Sequence, residues 1–591
     1  MSFIYYFINK KLAFMKKNQM MRAILFVCAF MLSLTISAQK VSGVVLDSNG
    51  EPVIGATVKV DGTNTGAVTD LNGNFAVKAD SKASLTISYV GFVSQSVKVG
   101  GRDNLKIVLK DDQQALNEVV VIGYGTQRRE AVTGSVANIN GEELNAVAAT
   151  NVAYALAGRL PGVVMTQTSS QPGAEMQIRI RGQRSLNASN DPLIVLDGVP
   201  FMGTLSDINP ADIKSMDILK DASATAIYGS RGANGVIMIT TVKGVQGTPA
   251  KVSYNMYAGF KKVFHKYPMM NGAQFTKLRE YLRTHENQGT VYTTGGPDEE
   301  EGVDTDWQDM FFRSGYTQSH NVGVQGGTVG GSYSFGAGYY KDASVVPGQD
   351  YSRYSVRGNF DQKVGDFFRF GLSTNTNFNM TKGGQVGIYG VLSATPIANP
   401  YNEDGTLKRT VKMEADENVI LTPDIINSWK NLWVNENKGL GTYNTVFAEV
   451  KCPWVEGLSY RINVGLNYRD SKVGSFTGTG INNINASVVN SASTQQSVTK
   501  NWSVENILTY DRTFAEKHHV NVVGLYSAEQ TRYEQTHMSG QEIPAEYFQY
   551  YNIGTAYQNI TVNPAYQNYW ESGLSSVMGR VMYDFDNKYM L

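Results

Sequence analysis

Past Lys251 the chain is built from long segments that alternate strictly between two kinds of residue, and nothing else in it so narrows what it can become. In "YRINVGLNYRD", Ile462, Val464, Leu466 and Tyr468 point one way, and Arg461, Asn463, Gly465, Asn467 and Arg469 the other. "SYSFGAGYYKD" sets Tyr333, Phe335, Ala337 and Tyr339 against small residues. "NWSVENILTYDRTF" puts Trp502, Val504, Leu508 and Tyr510 on one face. A period of two is the period of a β-strand. In a water-soluble fold it describes a sheet with one wet side. Here the apolar faces end in Tyr or Trp and the opposite faces are Asn, Arg, Gly and Ser, which is the apolar-out, polar-in pattern of a transmembrane β-barrel. Short turns such as Gly326-Gly327 alternate with long polar segments such as 265–316 and 383–441, expected as loops. About ten such strands are expected up to Leu591, each of about ten or more residues.

The rest of the chain agrees with an exported, mainly β protein. Lys16, Lys17 and Arg22 precede the apolar run Ala23 to Ile36, followed by Ser37-Ala38-Gln39. This is the layout of a secretory signal peptide, cut after Ala38, with Met1 or Met15 as the start. The run is too short for a comfortable membrane helix, and no later stretch is long and apolar enough. The 591 residues carry 52 basic and 52 acidic side chains. Zero net charge argues against a nucleic-acid partner, which needs a basic excess. Of the 2 cysteines, Cys28 lies in the signal run, so Cys452 stands alone and no intrachain disulfide is expected. High Gly (59) and Tyr (33) suit a large all-β protein.

Between Gln39 and Asp111, short β-prone runs are punctuated by Asn49-Gly50, Asp61-Gly62 and Asn72-Gly73. Such pairs supply the positive φ of hairpin turns, so a β-sandwich of about seven strands is expected. "DLNGN" at Asp70 has the spacing of a calcium loop but lacks its sixth-position Gly and closing Glu, and reads as a β-turn. The polar connector "KDDQQALNE" leads to "VVVIGYGTQRREAVTGSV". Val119 to Ile122 are strongly β-prone and are read either as an ordinary strand of the next domain or as a detachable strand able to pair with another protein's sheet edge. Gly123-Tyr124-Gly125 makes a poor dinucleotide fingerprint, since Arg128 holds the third glycine position. From Asn151 a helix is expected, with Thr150 as N-cap and Pro161-Gly162 as the stop. "QIRIRG" places Arg179 and Arg181 on one face of a strand, and "PLIVLDG" reads as a buried strand. A further strand ending near Lys220, a short helix started by Asp221, a glycine-rich turn and a strand through "GVIMITT" complete a compact α+β domain.

"LNEVVVIGYGTQRREAVTGSV", "QIRIRGQRSLNASNDPLIVLDGVP" and "INPADIKSMDILKDASATAIYGSRGANGVIMITTVKG" closely resemble the SusC/RagA family of TonB-linked outer-membrane transporters. The stretch after Gln39 resembles the carboxypeptidase-regulatory-like, transthyretin-type domain, an accessory fold that implies no peptidase. The fold expected is therefore mainly β: a sandwich extension, an α+β plug, and an incomplete antiparallel transmembrane barrel. The expected divisions are 1–38 signal peptide, 39–111 sandwich, 112–245 TonB box and plug, and 246–591 partial barrel. The resemblance gives Glu118, Val119, Val120, Val121 and Ile122 as the TonB box. It gives Arg179, Arg181, Gly182, Asp197, Gly198, Lys220 and Asp221 as plug motifs. The two arginines are tolerable if their strand face looks into a polar lumen whose carboxylates pair with them. The family's barrel has about 22 strands. Ten strands suggest an N-terminal portion, from a truncated gene model or an interrupted, non-functional gene.

The resemblance implies active import of oligosaccharides or peptides across the outer membrane, driven by TonB with ExbB/ExbD, beneath a SusD-like lipoprotein lid. The plug and N-terminal extension would lie on the periplasmic side and the strands against outer-membrane lipid. No cofactor, metal site or catalytic residue is expected. Rival readings are a siderophore- or cobalamin-type receptor of the same architecture, a secreted enzyme with a β-sandwich appendage, and a surface adhesin. No metal or nucleophile constellation supports the enzyme, and the adhesin leaves the plug and the β-prone run without a purpose.

Overall fold

A computed structural model describes residues 39–590 except 48–49, 51, 54, 64, 71, 90–91, 93, 103, 110–118, 122–125, 129–135, 147–151, 222–224, 286–294, 384–385, 415 and 587. The expected signal peptide lies outside the described residues. The chain divides into two compact units, 1–119 and 120–591.

Among its described residues the first unit holds seven strands: β1 (Gln39–Leu46), β2 (Thr57–Val60), β3 (Gly66–Val68), β4 (Asn74–Ala79), β5 (Ser84–Ser88), β6 (Gln95–Lys98) and β7 (Asn104–Val108). They form two sheets, ordered β4-β1-β7 and β3-β2-β5-β6. Alternate side chains such as Val45, Val58, Phe75, Leu85 and Ile107 meet in one apolar core. The buried Thr69 hydroxyl accepts from Ala56 N at 2.8 Å and donates to Val53 O at 2.7 Å, so this polar group is satisfied between the strands. Asp70 forms the expected turn, its carboxylate accepting from the amides of Asn72 and Asn74, which hold its pKa below the usual carboxylate value.

At the boundary stand β8 (Val119–Val121) and β9 (Thr126–Arg128), a two-stranded sheet of their own. Then come β10 (Val136–Asn140), β11 (Val163–Gln167), β12 (Met176–Ile180), β13 (Leu193–Leu196), β14 (Val199–Pro200), β15 (Ile213–Leu219) and β16 (Val236–Thr241). A five-stranded sheet, β10-β15-β16-β13-β14, and the β11–β12 hairpin enclose a core that includes Leu156, Ile180, Ile208, Met216 and Ile237. The helix expected from Asn151 is only Val152–Leu156, because the chain turns at Gly158 (φ 75°), short of Pro161-Gly162; Thr150 lies outside the described residues. The short helix expected to start at Asp221 falls on 222–224, outside the described residues; a 3-10 helix, Ala226–Gly232, follows, broken at Gly229, whose φ of 56° no right-handed helix accommodates.

Ten long strands follow: β17 (Lys251–Lys261), β18 (Gly315–Gly327), β19 (Gly331–Ala343), β20 (Asp350–Val364), β21 (Phe368–Lys382), then, after the short pair β22 (Thr410–Lys412) and β23 (Glu417–Val419), β24 (Trp433–Lys451), β25 (Leu458–Thr477), β26 (Ser491–Phe514), β27 (His518–Gln541), and, beyond β28 (Gln558–Thr561), β29 (Asn568–Phe585). With β30 (Tyr589–Met590) they pair in chain order, antiparallel throughout, and among the described residues β17 and β30 do not pair with each other. Along β20 the burial is the inverse of a soluble sheet: Arg353, Ser355, Arg357 and Asn359 are buried, while Tyr354, Val356 and Phe360 are 49, 59 and 41% exposed. β25 and β26 repeat this, with Asn463, Asn501, Ser503 and Glu505 buried and Leu466, Trp502 and Leu508 exposed. The expected alternation holds, and its polar face is the one turned to the compact α+β domain.

The connections differ from plain polar loops. β18 and β24 begin at Gly315 and Trp433, so the segments run 262–314 and 383–432. The alternating stretch from Trp433 to Gly441 pairs with β25 and was wrongly expected as loop. Both segments carry buried apolar side chains and share clusters: Trp307 packs with Ala394, Met413 and Ile420, and Phe311 with Val391 and Ile426. At the opposite end of the sheet the turns are short, such as 328–330 and 515–517; Gly326-Gly327, expected as a turn, instead ends β18, paired with Tyr333 and Ser332.

Candidate functional site

The site is the interface between the α+β domain and the polar face of the long sheet. It is made of hydrogen bonds and ion pairs. Arg357 Nε meets Asp212 at 3.0 Å, and both side chains are nearly fully buried. Arg353 donates to the carbonyls of Ser206 and Ile208, and Asn209 Nδ2 donates to Asn321 at 2.7 Å. Arg231 pairs with Glu529 at 2.6 Å. Asp207 accepts from Thr204 N at 2.9 Å within its own domain, and from Asn379 at 2.9 Å and Tyr443 at 3.1 Å on the sheet. Tyr443 also packs against Phe201, its ring tilted by 48°, and among the described residues it is the sole sheet side chain in the domain's main apolar core. Tyr443 apart, the domain closes its own core and meets the wall mainly through polar contacts that water can replace.

The expected motif residues fall into three places. Val119, Val120 and Val121 form β8; Glu118 and Ile122 lie outside the described residues. Arg179, Arg181, Gly182, Lys220 and Asp221 gather beside the β11–β12 hairpin. Contrary to the expectation from sequence, among the described residues the two arginines do not pair with carboxylates of the surrounding wall. Arg179 pairs with Asp191 at 2.6 Å and Arg181 with Asp221, both inside the α+β domain. The reason is proximity: the 182–192 loop folds back over β12, and β15 ends beside Arg181. Arg181 and Gly182 both have positive φ, 56° and 95°, which turns the chain sharply after β12. Lys220 Nζ donates to Pro161 O at 2.6 Å, and burial together with the neighbouring Arg181 charge lowers its pKa. Asp197 and Gly198 form the β13–β14 turn, with φ of 50° and 95°. Asp197 accepts from Thr241 Oγ1 at 2.7 Å, from Ser373 on the sheet at 3.3 Å, and pairs with Lys243 at 3.2 Å.

Sequence reasoning missed Asp207, Asp212, Arg231, Arg353 and Arg357. The charged residues on the polar faces of β20 and β27 were a usable signal, since a charge on a buried face demands a partner. Among the described residues no group of His, Cys, Asp and Glu is arranged to hold a metal ion, and no helix is long and apolar enough to cross a membrane.

Two family models match: the TonB-dependent Receptor Plug Domain over residues 128–236 and the CarboxypepD_reg-like domain over 41–121. TonB-dependent receptor P3 of Formosa agariphila is 33% identical over 97% of this chain and 56% of its own length. TonB-dependent receptor SusC of Bacteroides thetaiotaomicron is 38% identical over 66% of this chain and 39% of its own length. The chain spans about half the length of most of the curated relatives it matches. Among solved structures, the RagAB peptide importer in the "open-open" state superposes with a TM-score of 0.70 at 23% identity, covering 79% of this chain and 55% of that one, a likeness of fold.

Proposed function

Because the chain belongs to the SusC-like TonB-dependent receptors, of which it spans about half, we propose that it serves the TonB-dependent import of oligosaccharides or peptides across an outer membrane. The observation that carries this reading is the plug with its own core, held to an inverse-patterned sheet by polar contacts. Such a plug can shift while exposing little apolar surface beyond contacts such as Phe201–Tyr443, because most of what it gives up is hydrogen bonds that water replaces. No bond of the cargo is changed. Residues 1–38 are a signal peptide, 39–111 an accessory sandwich, 112–245 the TonB box and plug, and 246–591 barrel wall. The short turns face the periplasm, and the loop segments face outward, beneath a SusD-like lipoprotein that closes over the cargo.

Glu118 to Ile122 are the strand that TonB captures. Among the described residues β8 pairs with β9 alone, and a TonB strand adds at its other edge by backbone hydrogen bonds. ExbB/ExbD supply the force. The test is uptake of oligosaccharide and peptide fractions by the native host, its deletion strain, and wild type treated with an uncoupler. Import should need both the gene and the proton gradient, while surface binding needs only the gene. Gene-dependent import that survives the uncoupler contradicts the proposal.

A further inference from the structure

On the outward face of the wall the apolar side chains give way to lysines where the strands approach the loop segments. Alternate residues share a face, so toward the loops β24 passes from the exposed Leu440 to Lys438, and β25 from the exposed Leu466 through Tyr468 and Asp470 to Lys472. On the flanking strands, Lys382 lies beyond Phe378 and Met380 on β21, and Lys500 beyond Trp502 on β26. Lys438 and Lys472 are paired directly across their two strands. Like charges so placed weaken a sheet. Both ammonium groups converge on the same two rings: Lys438 Nζ is 5.9 and 5.7 Å from the centroids of Tyr550 and Tyr551, and Lys472 Nζ is 5.7 Å from each. Tyr550 is fixed beneath them, buried with Phe476, Ile543 and Ile553, and its hydroxyl donates to Glu436. Lys438 pairs with this carboxylate, and Lys382 lies directly across from it. Asp470 accepts from Gln496 Nε2 at 3.1 and 3.2 Å. Among the described residues Lys472 and Lys500 form no ion pair, so the row carries more positive charge than Glu436 and Asp470 balance.

We propose that this patch binds the phosphate headgroup of a membrane lipid, held between Lys438 and Lys472, with the acyl chains lying along exposed residues such as Leu440 and Leu466. The inference rests on the reading of the outward face as lipid-facing wall, and it lies on the face turned away from the plug and so off the cargo's route. Charge calls for an anion. A phosphate oxygen between two opposed ammonium groups turns their repulsion into attraction, and each ammonium has donors to give it. Position calls for a lipid. The lysines continue the exposed apolar face directly, so hydrocarbon attached to the phosphate finds apolar surface to cover, whereas a free phosphate ion would use none of it. Lysine stems lie along apolar surface and lift the charge to headgroup level. Tyr551, 60% exposed with its hydroxyl 3.3 Å from Lys438 Nζ, supplies an amphipathic ring at that same level.

The experiment uses the protein expressed from its own locus in the native host, purified in detergent and stripped of lipid. The probes are phosphatidic acid, diacylglycerol with the same acyl chains, and inorganic phosphate, with bound molecules counted by native mass spectrometry. Wild type should hold phosphatidic acid at least about tenfold more tightly than diacylglycerol, and inorganic phosphate at equal concentration should not displace it. Lys438→Gln combined with Lys472→Gln should weaken phosphatidic acid binding about twentyfold and leave diacylglycerol binding as it was. Lys517→Gln removes an exposed charge from a turn at the opposite end of the sheet and should change neither. Lys472→Gln alone relieves the opposed charges, so without lipid it should melt no lower than wild type, and it should gain less from phosphatidic acid; it decides the matter if the double variant accumulates poorly. Phosphatidic acid binding that is unchanged in these lysine variants, or weakened as much by Lys517→Gln, overturns the site. Displacement by inorganic phosphate overturns the lipid assignment. Equal retention of both lipids overturns the phosphate site and leaves the lipid-facing wall standing, while retention of neither overturns both.

Discussion

Replacing Glu299 by Gln should unlock the layer formed by the two long loop segments. The Glu299 carboxylate is fully buried and accepts from Arg279 at 2.5 and 2.9 Å, from Gly295 N at 2.8 Å and Gly296 N at 2.9 Å, from Thr395 Oγ1 at 3.2 Å and from Glu414 N at 3.3 Å. One side chain therefore ties helix Gly272–His285 to the 383–432 segment. Burial alone would raise its pKa, but the Arg279 guanidinium and the two glycine amides bring it from 4.5 down to about 2. At 1.36 kcal/mol per unit, that difference is about 3 kcal/mol of stabilisation by the ionised form. It agrees with the roughly 3–5 kcal/mol lost when a buried pair is broken from one side. Since the folded-state pKa is the lower one, the contribution is complete above pH 4.5 and disappears as pH falls toward about 2. Hydrogen exchange read by mass spectrometry measures this directly. In Glu299→Gln, protection factors of peptides covering 272–285, 295–300 and 393–414 should fall about a hundredfold at neutral pH, with those of the plug unchanged. Wild-type protection in the same peptides should weaken in acid. Equal protection in variant and wild type at neutral pH would refute the reasoning.

Val356→Arg and Leu466→Arg each place a charge on the outward face. They should cost about 2–4 kcal/mol near a bilayer midplane, read as a lower denaturant midpoint of the membrane-inserted protein, whereas on a wet face they would be neutral. Glu529→Gln leaves Arg231 without its carboxylate and should speed proteolysis of the plug around 225–235 severalfold, with the wall still resistant. Thr69→Val strands the Ala56 amide and should lower the stability of the N-terminal sandwich by about 1–3 kcal/mol, seen as a shifted melting transition of that unit.

What was legible in the sequence was what a short window contains. The alternation in "YRINVGLNYRD" fixes which residues share a face, and the structure turns Leu466 out and Asn463 in. The Asp61-Gly62 and Asn72-Gly73 pairs punctuate a sandwich because Gly62 and Gly73 need the positive φ they have. Partners distant in sequence were not legible. Nothing near Arg181 says that its carboxylate is Asp221 rather than a residue of the wall, and the reading erred there. Asp207 meets Tyr443 across 236 residues, and Glu299 meets Thr395 across 96. The long segments looked like plain loops because their apolar residues, Trp307, Phe311, Val391 and Ile426, follow no single period. They pack between segments, and a period reports only packing along one element.

The proposed coupling of an energy source to the plug through the Val119–Val121 strand is tested by one substitution. Strand capture is made by backbone N–H and C=O groups, and proline removes the N–H and resists a ladder position. Val120→Pro and Val120→Ala are compared in the native host, with cargo uptake, surface binding and protein level measured on the same cells. The account predicts that Val120→Pro abolishes uptake per surface molecule while binding stays near wild type, and that Val120→Ala, which keeps the ladder, does much less. Normal uptake per folded molecule in Val120→Pro, with only a lowered protein level, would mean that the run is merely a structural strand and would contradict the account.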